Sequence, residues 1–158
     1  MAEKQVILSL EGLKRFEQEL EHLRSVRRRE VAERIKAARE FGDISENSEY
    51  EDAKNEQAFI EGRILTLEKI LRNAKLVDEV EVDPGVVGIG SRVRLRDLVD
   101  GSTVEYTIVS STEANPVESR ISDESPVGKA MVGQRQGDIV EISVPAGVLK
   151  YEVLAVER

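Results

Sequence analysis

Asp43 and Glu46 are the residues in this sequence whose type and spacing invite chemistry. As helical neighbours one turn apart, their carboxylates converge within roughly 5–6 Å. Two carboxylates are what a protein usually offers Mg²⁺, with water or a phosphate filling the other positions. The same residues also have a purely structural reading. Gly42 takes positive φ without strain and so stops a helix. Asp43 followed by Glu46 is a capping-box variant for the next helix, and acids in a first turn suit the helix dipole. The residues alone leave both readings open. A bare helix tip holds an ion poorly, so the metal reading requires another macromolecule to supply the remaining ligands.

The flanking sequence must position that tip. From Ser9, which can cap the first helix, the pattern is helical as far as Ala74, with one break at Phe41-Gly42-Asp43. Leu13, Phe16, Leu20 and Leu23 recur at spacings of three and four, followed by Val31, Ile35 and Ala38. Leu20 to Val31 is a local eleven-residue step, which relaxes a left-handed supercoil. Ala53, Gln57, Ile60, Ile64, Leu67, Leu71 and Ala74 keep strict four-three spacing. Two such helices with a very short connection fold back antiparallel. About 30 residues at 1.5 Å each make a rod on the order of 45 Å. Such a rod has little core and holds its tip far from whatever anchors it. Gly62 lowers helix propensity in the second helix, which predicts a close helix approach there.

After Asp83-Pro84-Gly85 the period changes to two. Arg92–Arg96 alternates, and Asp100-Gly101 signals a hairpin into Val104–Val109. Ser119–Ser122 reads as a short strand. Ser125-Pro126 reads as the cap and first residue of a short helix that ends before Gly133. Ile139–Val144 and Val148–Val156 flank a turn at Pro145-Ala146-Gly147. The fold class is therefore α+β: a long antiparallel coiled-coil hairpin over residues 1–77 with its tip near 42–50, a linker at 78–85, and a small, mainly antiparallel α+β domain over 86–158.

Composition narrows the chemistry. The chain has 158 residues, 31 acidic against 23 basic, and a formal charge of -8. It has no cysteine and one histidine, His22, which excludes disulfides, thiolate zinc sites and thiol nucleophiles, and makes a Ser-His-Asp triad improbable. The balance argues against a broad nucleic-acid footprint. Residues 43–60 carry six acids against one base, a sharp local change of sign. Basic groups on the first helix facing acids on the second predict interhelical ion pairs, and Arg27-Arg28-Arg29 reads mainly as a solvated face. No apolar run approaches the roughly 20 residues that span a bilayer. Neither a signal peptide nor a membrane segment is expected, and the cytoplasm is the expected location.

Gly42-Asp43, Glu46-Asn47 and Glu49-Tyr50 resemble the tip of the bacterial Gre transcript-cleavage factors, most closely the GreA type. Leu10-Glu11-Gly12, Ala38-Arg39-Glu40, Glu61-Gly62-Arg63-Ile64, Ser125-Pro126-Val127-Gly128 and Tyr151-Glu152-Val153 carry the likeness along nearly the whole chain. The resemblance implies a coiled coil followed by an FKBP-like domain. It implies RNA polymerase as partner, gripped at the rim of its secondary channel, with the nascent RNA 3′ end at the tip and DNA reached only through the polymerase. It implies that Asp43 and Glu46 assist the polymerase's second Mg²⁺, an ion held only in that complex, and that the chain is not itself an enzyme. Arg39 and Lys54 match basic-patch positions that touch RNA. Lys54 stands where an arginine is familiar, which keeps the charge but loses the bidentate phosphate fork. Ser125 and Pro126 match the region that meets the polymerase.

Two rival readings accompany this one. A channel-binding inhibitor would share the architecture, but the Asp43/Glu46 spacing speaks against it. An FKBP-like prolyl isomerase or coiled-coil chaperone would need an apolar aromatic pocket, and the globular half has only Tyr106 and Tyr151.

Overall fold

The computed structural model describes residues 4–41, 47–81 and 83–158. They form two compact units. Glu11–Ala74 makes the body of the first, while Gln5–Leu10 joins Lys75–Arg158 in the second.

The first unit is the expected helical hairpin. Helix α1 runs Leu10–His22, a π-helical turn covers Leu23–Arg27, and α2 continues over Arg28–Glu40. Helix α3, Ser48–Arg72, returns against them. Phe16, Leu20, Leu23, Val31, Ile35 and Ala38 are buried on one side, and Ala53, Ile60, Ile64 and Leu67 on the other. The long step between Leu20 and Val31 is resolved by the π turn. Leu23 to Val31 is one residue more than a heptad, and a π turn absorbs one extra residue, so the apolar stripe stays on the α3 side.

The expected ion pairs are present. Arg24 bonds Glu68 at 2.6 Å, Arg28 reaches both oxygens of Glu61 at 2.8 Å, and Arg63 spans Glu19 at 2.7 and 3.0 Å. Arg27 and Arg34 share Glu56. Two of the three consecutive arginines are thus engaged across the hairpin, more than a solvated face requires. Exposed pairs contribute roughly 0–1 kcal/mol each, so they fix register more than they stabilise.

The second unit centres on a five-stranded sheet in the order β5-β4-β3-β7-β6. Its strands are β3 (Arg92–Asp97), β4 (Thr103–Val109), β5 (Arg120–Ser122), β6 (Ile139–Val144) and β7 (Gly147–Glu157). All neighbours are antiparallel except β4 and β5, which are parallel. Alternation sends Val93, Leu95, Val140, Ile142, Tyr151 and Val153 into one core with Ile108 and Met131. On the opposite face of β3, Arg92 pairs with Glu157 and Glu105, and Arg94 with Glu105. Helix α4, Pro126–Met131, covers the core.

A strand at the N-terminus, β1 (Val6–Leu8), pairs with β2 (Ala74–Leu76). Leu8 is fully buried, and the Ser9 amide and hydroxyl donate to the Glu113 carboxylate at 3.0 and 2.6 Å. This strap therefore belongs to the second unit, although residues 1–77 read as hairpin in the sequence.

Candidate functional site

At the tip, one asparagine stitches the two arms together. Asn47 is the N-cap of α3, its Oδ1 accepting the Tyr50 amide at 3.1 Å. Its Nδ2 donates to the Ala38 carbonyl, in the last turn of α2, at 2.7 Å. That carbonyl also accepts the Phe41 amide at 3.3 Å, which closes α2. One side chain thereby satisfies an orphan donor of α3 and adds a second bond to a carbonyl in the last turn of α2.

This corrects the structural reading of the acidic pair. Helix α3 is opened by Asn47, so its N-cap is not Asp43 and the Asp43/Glu46 capping box does not open it. Asp43 and Glu46 themselves lie outside the described residues. Sequence reasoning missed Asn47 because the earlier acid is an equally good cap residue.

The basic positions engage different partners. Arg39 holds its guanidinium over the Tyr50 ring, 5.8 Å from the centroid, a cation–π contact between α2 and α3. Lys54 is exposed and donates to Gln57 at 3.1 Å. Phe41, which ends α2, is 83% exposed. Beside it lies an open groove of about 350 Å³ lined by Arg34, Ala37, Ala38, Phe41, Glu49 and Asp52. In the sequence Phe41 figures only in the break between the helices and Tyr50 only in the tip motif, neither as a contact residue.

Gly62 departs from expectation. It is exposed, and a Cβ there would meet nothing within 4 Å, so it permits no close helix approach. Among the described residues no cluster of three or more His, Cys, Asp or Glu side chains could hold a metal. His22 is exposed on the end of α1.

In the second unit Ser125 and Pro126 open α4. The Ser125 hydroxyl accepts the Gly128 amide at 3.1 Å and donates to the Ser122 carbonyl at 2.6 Å, while Pro126 sits exposed in the first turn. A Cβ on Gly128 would lie 1.9 Å from the Ser122 oxygen. The Ser-Pro-Val-Gly motif thus has a structural cause of its own. A groove of about 180 Å³ lined by Ile7, Leu8, Val77, Ile89, Ile108 and Glu113, among others, has no aromatic wall. Tyr151 is buried in the core. Neither feature suits a prolyl pocket.

Family models cover both units: "Transcription elongation factor, N-terminal" matches residues 6–76, and "Transcription elongation factor, GreA/GreB, C-term" matches 79–158. Transcription elongation factor GreA of Acetivibrio thermocellus is 58% identical over 98% of this chain and 98% of its own length. The chain belongs to the GreA/GreB family of transcription elongation factors. Transcription elongation factor GreA of Alkaliphilus oremlandii is 56% identical over 100% of this chain and 99% of its own. Among solved structures of related proteins, GreA factor homolog 1 of Thermus thermophilus aligns at 36% identity over 98% of this chain and 100% of its own, with a TM-score of 0.44. No helix among the described residues is long and apolar enough to cross a membrane.

Proposed function

We propose that this GreA/GreB-family elongation factor enters the secondary channel of RNA polymerase and stimulates the polymerase's own cleavage of backtracked RNA. The second unit grips the channel rim, with Ser125 and Pro126 in the contacting surface. The hairpin carries Asp43 and Glu46 toward the polymerase's active centre. The observation that supports this reading most is the Asn47 cap: the duty that would otherwise explain the acidic pair belongs to another residue.

Two carboxylates and a short-lived set of outside ligands suit Mg²⁺, which keeps several waters and takes few protein ligands. Asp43 and Glu46 would hold that ion jointly with the polymerase, where it supplies charge stabilisation for in-line displacement. The carboxylates also accept hydrogen bonds from the attacking water and orient it. Arg39, set by its stack on Tyr50, and Lys54 present positive charge to the displaced RNA. The chain contributes groups, the polymerase performs the reaction, and DNA is met only through the polymerase. Its place of work is the cytoplasm.

The test is to add the protein to backtracked complexes carrying labelled RNA, and separately to unpaused ones. Release of short 3′ fragments with normal elongation on unpaused templates is the expected result. Slowed elongation on every template without fragment release would identify a channel plug and refute the proposal.

A further inference from the structure

Phe41 points to a substrate contact that the acidic pair does not supply. It stands at the C-terminus of α2, its backbone fixed by the Ala38 carbonyl at 3.3 Å, yet its side chain is 83% exposed. That exposure leaves a flat apolar face free to stack on a partner. It lines the open groove together with Ala37 and Ala38, the carboxylates Glu49 and Asp52, and Arg34.

The chemistry of that groove selects its occupant. A phosphate would meet the carboxylates of Glu49 and Asp52, while Arg34, the basic residue that also lines the groove, is already held by Glu56. An unstacked nucleobase fits each part: its face stacks on Phe41, it lies over two small alanines, and its ring or exocyclic N–H groups donate to carboxylate oxygens. Aromatic stacking of single-stranded bases tolerates any sequence because every base has a π-face. We propose that Phe41 and this groove hold a base of the displaced RNA 3′ segment, keeping the strand in place while cleavage occurs. The inference rests on the cleavage-stimulating reading above and adds to it a substrate-binding residue.

The test compares wild type, Phe41→Ala, Phe41→Trp and Phe41→Leu on backtracked complexes. One set of transcripts is normal, and a second set carries abasic sugars in the extruded 3′ segment. On normal RNA, Phe41→Ala should slow cleavage by about 5- to 100-fold, the range of one lost base stack. Phe41→Trp should retain the rate, and Phe41→Leu should lose most of it. On abasic RNA wild type should fall to the Phe41→Ala rate, and the variant should fall no further. Competition for polymerase should be equal for all four proteins.

Three results overturn the inference: an unchanged Phe41→Ala, a loss of equal size on abasic RNA, or full activity in Phe41→Leu. The last two would mean that the ring docks on protein. If wild type itself releases no fragment from normal RNA, the cleavage reading fails and this one falls with it. Wild-type cutting with indifferent variants removes the base contact alone.

Discussion

Replacing Asn47 by alanine removes two bonds at once, and their sizes can be worked from the geometry. The Tyr50 amide loses its 3.1 Å acceptor, an N-cap loss of about 1 kcal/mol. The Ala38 carbonyl loses a 2.7 Å donor, worth about 1 kcal/mol more. Both act within the hairpin, so the first turn of α3 should open more readily by about 2 kcal/mol, near thirtyfold in the opening constant. Amide hydrogen exchange reads this locally. Tyr50 exchange in Asn47→Ala should accelerate by roughly 10- to 100-fold, while the Ile108 amide, bonded to the Ser91 carbonyl in the second unit, should not change. Asn47→Ser keeps an acceptor oxygen for the cap but cannot reach across as an amide does, so it should show about half the loss in free energy. If Tyr50 exchange in Asn47→Ala stays within twofold of wild type, Asn47 does not pin the tip and the reassigned cap is wrong.

Three further substitutions test other parts of the fold. Gly62→Ala should stabilise the hairpin by about 1 kcal/mol, because the new methyl meets nothing within 4 Å and helix propensity improves; a lower thermal midpoint would contradict this. Gly128→Ala should destabilise the second unit by about 1–3 kcal/mol or more, since its Cβ falls 1.9 Å from the Ser122 oxygen; an unchanged urea midpoint would refute the clash. The Arg28 hydrogen bond holds the Glu61 carboxyl below its ordinary value. A depressed folded-state value contributes stability above the unfolded value of about 4.3, and that stability is lost as pH falls through the folded value. Helix melting should therefore weaken less between pH 7 and pH 3 in Glu61→Gln than in wild type, with the difference shrinking in high salt; identical pH profiles would show that the pair contributes nothing.

Much of this architecture is legible because it is periodic. The seam residues Phe16, Leu20, Ile60, Ile64 and Leu67 repeat at helical spacing, and Val93, Leu95, Val140 and Ile142 alternate as strands do. Ser125-Pro126 and Asp100-Gly101 carry local turn and cap chemistry, so they too read directly. The strap β1 does not, because Val6–Leu8 is three residues long and its partner, Ala74–Leu76, is distant in sequence. The π turn left a trace as an irregular step, yet a step of eleven suits a supercoil change as well as an inserted residue. At the tip, Asp43 and Asn47 are both good caps, and only the cross-hairpin bond to Ala38 decides between them. Gly62 reads as a packing glycine only if the seam is ignored: it lies two residues from both Ile60 and Ile64, which places it on the opposite, exposed face of α3. Phe41 was invisible as a site residue because apolar residues near a helix end usually turn inward.

The central claim is that Asp43 and Glu46 act as groups lent to the polymerase. Its most direct test is the Asp43→Asn/Glu46→Gln double variant, measured for cleavage of backtracked RNA and for competition with wild type on polymerase. The account predicts unchanged competition and fragment release slowed by about 100-fold or more, the scale of several kcal/mol lost from charge stabilisation. A double variant that binds and cleaves like wild type would contradict it.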